Sequence, residues 1–374
     1  MEQELHYNFL NTLMFSGIIF GVTFSIVNLL NKNKNSKAKT LLIITVLSLT
    51  LSNLQYWLID IGFRDKYQIP KVVYVQFELL ILPFFYLFIR NYIQKKSNKK
   101  IIYLLLFPFV LGMTYQILAY IMDLERPLLK KYNLIAEILT LSFSIILIFL
   151  SFIEISKFEK LNNKLDYNKI GISTNWLKYS MISGIILIIL WILTTQLFYN
   201  NNNPSGIKIY YPLWIGISIV IYWIGIKGLL ELRVYYERRV IRNTYHGVQE
   251  HKPTIDKKNS KGNILFQQLL NDFENQKIYL NPNLSLDVLA AKYNVSSGYL
   301  SQIINKYSDE GLADLVNNLR IKEAQNMLLD KSFENYTIES IALESGFNTK
   351  TNFYKVFKKL VGLTPNEYKK VQNL

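Results

Sequence analysis

The sequence predicts an all-α protein in two parts: a bundle of seven transmembrane helices over residues 1–232, and a soluble domain of two helix-turn-helix units joined by a long helix over residues 263–374. Three observations carry this prediction. Seven windows in the first part each hold about 20 mostly apolar residues, the length that crosses a bilayer as a helix. From about residue 233 the chain turns polar, and its apolar residues recur at helical spacing with no competing strand alternation. Within that second part, a pattern of short helix, tight turn and second helix occurs twice.

The spans fall at 9–30, 40–62, 71–92, 101–122, 133–155, 177–199 and 209–231. The first follows MEQELHYN, acidic where a cleaved signal peptide is basic, and so reads as a retained helix. The chain carries a net charge of +15, yet residues 263–374 hold twelve Lys/Arg and twelve Asp/Glu. The whole excess therefore surrounds the apolar segments, where it reports membrane orientation rather than attraction to nucleic acid. Loops NKNKNSKAK (31–39), QKKSNKK (94–100) and 154–178 are Lys-rich, and the last span runs into ELRVYYERRVIR. Loops GFRDKYQIP, DLERPLLKKY and NNNNPSGIK carry fewer cations. The positive-inside rule then puts the N-terminus outside the cytoplasmic membrane and the C-terminal domain in the cytoplasm, as an odd number of crossings also requires. The lipid bilayer is thus the first predicted partner.

Ionisable residues within the spans are costly and informative. Arg90, Glu154, Lys178 and Lys227 lie near inner helix ends, where long side chains snorkel to water. Asp60, Glu78 and Glu137 fall in the outer halves of spans two, three and five. They suit an outward-facing polar pocket for a cationic or amine-bearing ligand, or a proton-sensing cluster; inter-helix hydrogen bonds to Tyr, Asn or Thr, or placement at the interface, would equally explain them. Tyr56, Trp57, Trp191, Trp214 and Trp223 read as interface anchors and packing residues. The chain has no cysteine, and His6, His246 and His251 all lie outside the spans, so a thiolate metal site is excluded and catalytic groups in the membrane are few. No cofactor, metal site or catalytic residue is predicted, and the chain is not read as an enzyme.

Span seven continues without Gly or Pro into GLLELRVYYERRVIR, where Leu230, Val234, Glu237 and Ile241 make a thin stripe. A dimeric signalling helix, and hence a homodimer, or Arg snorkelling at the membrane surface would each account for it. Residues 243–262 are polar, Lys-rich and punctuated by Gly and Pro, and read as a flexible linker within a juxtamembrane region of 233–262. Beyond it, helices are predicted at 263–279, 286–293, 297–307, 311–329, 338–345, 350–361 and 365–372, with Ser285, Ser296 and Thr337 as N-caps and a Thr364, Pro365, Glu367 cap on the last.

The repeat matches Leu289 and Ala290 to Ile341 and Ala342 at an offset of 52, and Leu300, Ile303 and Ile304 to Phe353, Val356 and Phe357 at 53, one residue having entered the second turn. Gly346 suits the left-handed position that ends a helix. The second helix of each copy turns one apolar face inward: Leu300, Ile303, Ile304 and Tyr307, then Phe353, Val356, Phe357 and Leu360. The opposite faces hold Ser297, Gly298, Ser301, Gln302, Asn305 and Lys306, then Lys350, Thr351, Tyr354, Lys355, Lys358 and Lys359. Gln and Asn pair bidentately with adenine, whereas Lys suits phosphate or guanine, so the first copy is built for base reading and the second for backbone attraction on double-stranded DNA. Between them GLADLVNNLRIKEAQNMLL forms one amphipathic helix, about 28 Å long at 1.5 Å per residue.

The stretch LADLVNNLRIKEAQNMLL followed by TIESIALESGFNTKTNFYKVFKKLVGLTPNEY resembles the DNA-binding domain of AraC/XylS-type transcription regulators. The likeness rests on an Arg-Ile and Ala helix, then Ile-Ala, Gly-Phe, a late Phe, Phe-Lys-Lys, Gly and Thr-Pro. It departs at Lys355, where the family usually has Arg, and near Leu312, where it has an aromatic. The resemblance implies two helix-turn-helix units in adjacent major grooves, with DNA contacts on the faces named above. The seven spans resemble the seven-helix sensor regions of some bacterial receptors. Together these predict a membrane-bound, one-component transcription regulator that answers to an unknown small ligand or other extracellular or in-membrane signal. The alternative is a transporter or receptor with a regulatory helix-turn-helix tail, although the spans show no internal repeat.

Overall fold

The structure, a computed structural model, describes residues 4–30, 36–69, 74–93, 95, 98–122, 126–162, 172–200, 208–245, 261–308 and 310–372. Among the described residues the chain is helical, with no strand. It divides into two compact units that part at Leu232 and Arg233.

The first unit contains α1 (Phe9–Leu30), α2 (Lys37–Asp60), the short α3 (Phe63–Lys66), α4 (Glu78–Tyr92), α5 (Lys99–Ile121), α6 (Arg126–Asn162), α7 (Asn175–Asn200) and the first two-thirds of α8 (Tyr211–Tyr245). Six of these, α1, α2, α5, α6, α7 and α8, are long and apolar enough to cross a membrane. The third predicted window is the exception. Its helix, α4, has only 15 residues, about 23 Å at 1.5 Å per residue against a hydrocarbon core of about 30 Å. α4 is nonetheless the best-covered helix of the unit, burying Leu79, Phe85, Leu87, Phe88 and Ile89 against α2, α5 and α6. The non-helical backbone just before it is held by a side chain: the Val75 N–H donates to Gln55 Oε1 at 2.9 Å, and Gln55 Nε2 donates to the Val75 carbonyl at 2.7 Å. Irregular backbone persists away from water only when its polar groups are satisfied in this way.

Close packing in this unit uses small residues. A Cβ on Gly17 would stand 2.6 Å from the Ser218 Cβ, and one on Gly21 would stand 1.9 Å from Thr50 Oγ1, so the Gly17 to Gly21 face of α1 meets α8 and α2 backbone to backbone. By contrast, α5 and one face each of α6 and α7 turn Leu104, Phe107, Leu111, Leu139, Phe149, Ile186 and Leu193 outward. That much exposed apolar surface is foreign to a protein bathed in water. Several charges at the helix ends are paired: Glu154 takes Arg90 at 3.3 Å and Lys95 at 2.7 Å, Glu159 takes Lys178 at 2.7 Å, and Glu231 takes Lys227 at 2.8 Å.

The second unit runs from Arg233, still on α8, through α9 (Lys261–Asn275), α10 (Leu286–Lys292), α11 (Ser297–Tyr307), α12 (Leu312–Leu329), α13 (Ile338–Glu344), α14 (Lys350–Val361) and α15 (Pro365–Gln372). The predicted linker lies for the most part in 246–260, outside the described residues. The helix expected to reach residue 279 stops at Asn275, because Lys277 adopts φ 47° and the next turn, Ile278–Leu280, is a 3-10 helix that drives Ile278 and Tyr279 into the core. Two apolar cores result. The first gathers Phe266, Leu269, Phe273, Leu289, Leu300 and Ile304 with Val316. The second gathers Ile321, Ala324, Met327, Ile341, Phe347, Phe353 and Phe357. α12 feeds its N-terminal half to one core and its C-terminal half to the other. Ile241 of α8, fully buried, also belongs to the second core. Of the stripe on this helix, Glu237 and Ile241 are buried within the unit and Val234 is half-buried, whereas Leu230 is exposed.

Both helix pairs close their turns alike. The Val295 N–H reaches the Ala290 carbonyl at 3.0 Å, and the Phe347 N–H reaches the Ala342 carbonyl at 3.1 Å. The left-handed residue each turn needs is Asn294 in the first (φ 53°) and Gly346 in the second (φ 92°). The extra residue enters after that bond, at Asn348, and Thr349 then caps α14 through the Asn352 N–H as Ser296 caps α11 through the Tyr299 N–H. At Gly346 an added Cβ would stand 2.9 Å from the Tyr279 carbonyl oxygen and from the Leu280 Cα. Left-handed backbone alone costs another residue about 1–2 kcal/mol. A soluble 233–374 chain with Gly346→Ala is therefore expected to melt at least roughly 4 °C lower. Thermal denaturation followed by circular dichroism checks this, and an unchanged midpoint would show that the turn yields without strain.

Candidate functional site

α11 and α14 each bury one face and present the other. On α11, Leu300, Ile303 and Ile304 are buried, while Gly298, Gln302, Asn305 and Lys306 are exposed. A Cβ on Gly298 would meet nothing within 4 Å, so bare backbone is open to a close approach there. Ser301 is half-buried, and the Ser297 hydroxyl donates to Asp287 of α10, which ties it to the neighbouring helix. On α14, Phe353 and Phe357 are buried, and Lys350, Thr351, Lys355, Lys358 and Lys359 are exposed. Tyr354 sits on the shoulder between the two faces: its ring meets Phe353, its hydroxyl accepts from Asn366 Nδ2 at 3.2 Å, and burial raises its pKa so that it stays a neutral hydroxyl. Leu360, expected on the buried face, is 40% exposed in the last turn of α14, which ends at Val361 and is capped by Gly362. Not every cation here is free: Lys359 lies 3.8 Å from Asp314, both well exposed, and Lys369 Nζ donates to the Glu334 carbonyl.

Two polar constructions position these faces, and neither was picked out as a site from the sequence. Arg320, midway along α12, donates from Nε to the Tyr279 carbonyl and from Nη2 to the Asn281 carbonyl, both at 2.7 Å, and its guanidinium lies over the Phe347 ring at 5.8 Å. Burial lowers its pKa to about 10, which leaves it charged at neutral pH. The second construction joins α8 to α13. Glu344, 2% exposed, receives Arg238 Nε at 2.7 Å and Arg242 Nε at 2.9 Å. Glu237, also 2% exposed, accepts the Thr337 N–H at 2.8 Å, the Thr337 hydroxyl at 2.7 Å and the Ser340 hydroxyl at 2.8 Å. The sequence signal for it was the spacing of Glu237, Arg238, Ile241 and Arg242 on one side of a helix.

Residues 289–370 match the helix-turn-helix domain model. An uncharacterized HTH-type transcriptional regulator of Staphylococcus aureus is 30% identical over 109 residues, which is 28% of this chain and 14% of that protein. An uncharacterized HTH-type transcriptional regulator of Pseudoalteromonas carrageenovora is 29% identical over 101 residues, 26% of this chain and 58% of that one. The regulatory protein PocR of Salmonella typhimurium is 30% identical over 95 residues, 25% of this chain and 30% of its own length. The chain thus covers less than two-thirds of the length of these relatives. Among solved structures, a protein of unknown function from Listeria innocua shares 29% identity over 28% of this chain and 95% of that one, with a TM-score of 0.26. The C-terminal domain of the two-component response regulator yesN from Fusobacterium nucleatum shares 28% identity over 29% and 99%, with a TM-score of 0.24.

In the first unit the three outer carboxylates do not share one hydrogen-bonded cluster. Asp60 accepts from Asn11 Nδ2 at 3.1 Å and from the Tyr211 hydroxyl at 2.8 Å, tying α2 to α1 and α8. Glu78 accepts at Oε1 from Ser52, Tyr56 and Tyr74. Glu137 is half-buried on α6. Among the described residues there is no group of three or more His, Cys, Asp or Glu that could hold a metal ion.

Because Arg238, Arg242, Glu237 and Ile241 complete the second core, a chain beginning at residue 263 leaves Glu344 without its cations. An uncompensated buried charge costs about 3–5 kcal/mol. The 263–374 fragment is expected to unfold at a clearly lower urea concentration than the 233–374 chain, and Glu344→Gln to narrow that gap. Equal midpoints would show that the end of α8 contributes nothing to the unit.

Proposed function

We propose that the chain is a membrane-bound, sequence-specific DNA-binding transcription regulator of the AraC/XylS type, answering to an extracellular or in-membrane signal. The observation that carries this reading is the pair of matched helices α11 and α14, each packed by one face and presenting polar and cationic side chains on the other, inside the stretch that matches the helix-turn-helix domain. The names of the relatives agree with it. In this reading α11 enters a major groove, with Gln302 and Asn305 facing base edges and Gly298 allowing the backbone close to the duplex. α14 enters the next groove, with Lys350, Lys355 and Lys358 on phosphates or guanine, Thr351 and Tyr354 adding hydroxyls, and Lys306 and Lys359 at the margins. α12, tied to both cores, holds the two at a fixed separation.

The membrane reading rests on six span-length apolar helices and the outward apolar surface of the first unit, with the short α4 as the seventh crossing. The Lys-rich loops orient the bundle with the reading domain in the cytoplasm. Pairing of two chains through the membrane unit would raise the effective concentration of their reading domains at paired sites.

Since residues 263–374 balance their charges, binding to random DNA is weak and contact chemistry decides the affinity. On a soluble 233–374 chain, Gln302→Ala is expected to cost about 1–3 kcal/mol on the cognate site and to relax specificity at one base pair. Lys358→Ala is expected to weaken binding to all sequences alike and to lower the salt slope by about 1. Footprinting and salt titration measure both, and unchanged footprints for the two variants would overturn the assignment.

A further inference from the structure

The first unit holds a partly open cavity of about 150 Å³ between α2, α4, α6, α7 and α8. An apolar cavity of that size takes a molecule of about benzene's bulk. Most of its wall is apolar, with aliphatic residues such as Leu49, Leu82, Leu187 and Ile217, and one side is aromatic. There Trp214 is stacked between Tyr56 and Tyr210, with centroids 5.7 Å away on either side and interplanar angles of 21° and 18°.

Among the described residues Glu78 is the one carboxylate on this wall, and its setting differs from that of the ion-paired acids of the unit and of Asp60. Glu154, Glu159 and Glu231 each hold a Lys or Arg within 3.3 Å, and Asp60 spends both oxygens on a neighbouring helix. Glu78 has no ion-pair partner among the described residues. Three hydroxyls, from Ser52 at 2.8 Å, Tyr56 at 2.8 Å and Tyr74 at 2.6 Å, all donate to its Oε1. Its Oε2 takes no hydrogen bond among the described residues. Glu78 opens α4 directly after the non-helical segment that Gln55 fastens at Val75, so the carboxylate is held in place from two sides. A half-buried acid without a counter-charge is costly, and a bound cation would offset that cost. Tyr and Trp rings on the same wall add a surface that attracts cations.

We propose that this cavity binds a small lipophilic amine, its nitrogen on Glu78 Oε2 and its apolar body, of about benzene's size, against Leu49, Leu82 and Trp214. The amine supplies the missing counter-charge, and the aliphatic wall excludes water from the pair. As the signal class for the regulator described above, this ligand rests on the membrane-sensor reading, but its binding does not depend on DNA.

The test uses the full-length chain in lipid nanodiscs, with 2-phenylethylamine and its neutral counterpart 2-phenylethanol as probes, followed by calorimetry and by the fluorescence of the tryptophans. The amine is expected to bind at least about tenfold more tightly than the alcohol, as one desolvated charge contact provides. Glu78→Gln is expected to bring the two probes to equal affinity. Leu82→Trp, which fills the cavity and keeps the carboxylate, is expected to abolish binding of both while helicity is retained. Equal affinities on the unaltered chain would reduce the site to a plain apolar void and overturn the proposal. So would an amine preference that survives Glu78→Gln, or amine binding unaffected by Leu82→Trp. If Glu78→Gln does not fold, the probe pair on the unaltered chain and Leu82→Trp decide the matter. Absence of amine binding leaves the footprints of the 233–374 chain untouched, and absence of footprints leaves the amine titration untouched, so the two readings fail separately.

Discussion

Arg320 donates from Nε and Nη2 to two backbone carbonyls in the turn after α9, and its guanidinium lies on the ring of Phe347 in the turn of the other helix pair. Tyr279, whose carbonyl accepts one of these bonds, packs in the first core, and Phe347 packs in the second. One side chain on α12 therefore joins the two halves, through hydrogen bonds strengthened by its charge and shortened by partial burial. The same closeness explains Gly346. Arg320 Nε and the Tyr279 carbonyl come so near that a Cβ there would meet both within 3 Å. Glycine at that point is as much a consequence of the join as of the turn.

The first unit feels a different constraint, that polar groups remote from water are costly unless paired within the protein. Most are paired, although among the described residues Asn53 Oδ1, Trp176 Nε1 and Trp214 Nε1 are buried with no hydrogen-bond partner. Gln55 stands in for a missing helical turn at Val75, Trp57 Nε1 reaches the Asn11 carbonyl at 2.9 Å, and the Asn53 amide donates to Ser218 Oγ at 2.9 Å. Small residues then let α1, α2 and α8 approach closely enough for those bonds to form. Glu78 stands out against this background because its hydroxyl partners all converge on one oxygen. At the other end, α8 leaves the apolar unit and its last turns become part of the second core through Ile241 and the ion pairs to Glu344.

Much of the second unit was legible in the sequence. Periodicity located α10 to α15 within a residue or two, and Ser285, Ser296, Thr337 and Glu367 make the capping bonds that their spacing implied. The repeat foretold which positions would be buried, since Leu289, Leu300, Ile341 and Phe353 are all nearly inaccessible. Legibility failed where long-range contacts override local preference. α9 stops early because Ile278 and Tyr279 gain more from the core than from another helical turn. α4 is shorter than its apolar window because a glutamine distant in sequence satisfies the backbone that would have continued it. Trp214, read with the other tryptophans as an interface anchor or packing residue, packs against Tyr56 and Tyr210 beside the cavity, partners that no local pattern named.

By itself the sequence determined the helical class, the division into an apolar and a polar part, and the amphipathic faces of α11 and α14, because these follow from composition and from a period of 3.6 residues. Tertiary structure alone decided that Asp60 and Glu78 serve different partners, that Ser297 is tied to Asp287 and Tyr354 half-covered, and that Arg238 and Arg242 meet Glu344. Each of these is a side-chain contact. Except for the ties of Ser297 to Asp287 and of Tyr354 to Asn366 on adjacent helices, each joins helices that do not follow one another in the chain, and no local period records which of several satisfiable partners will be near when the helices pack.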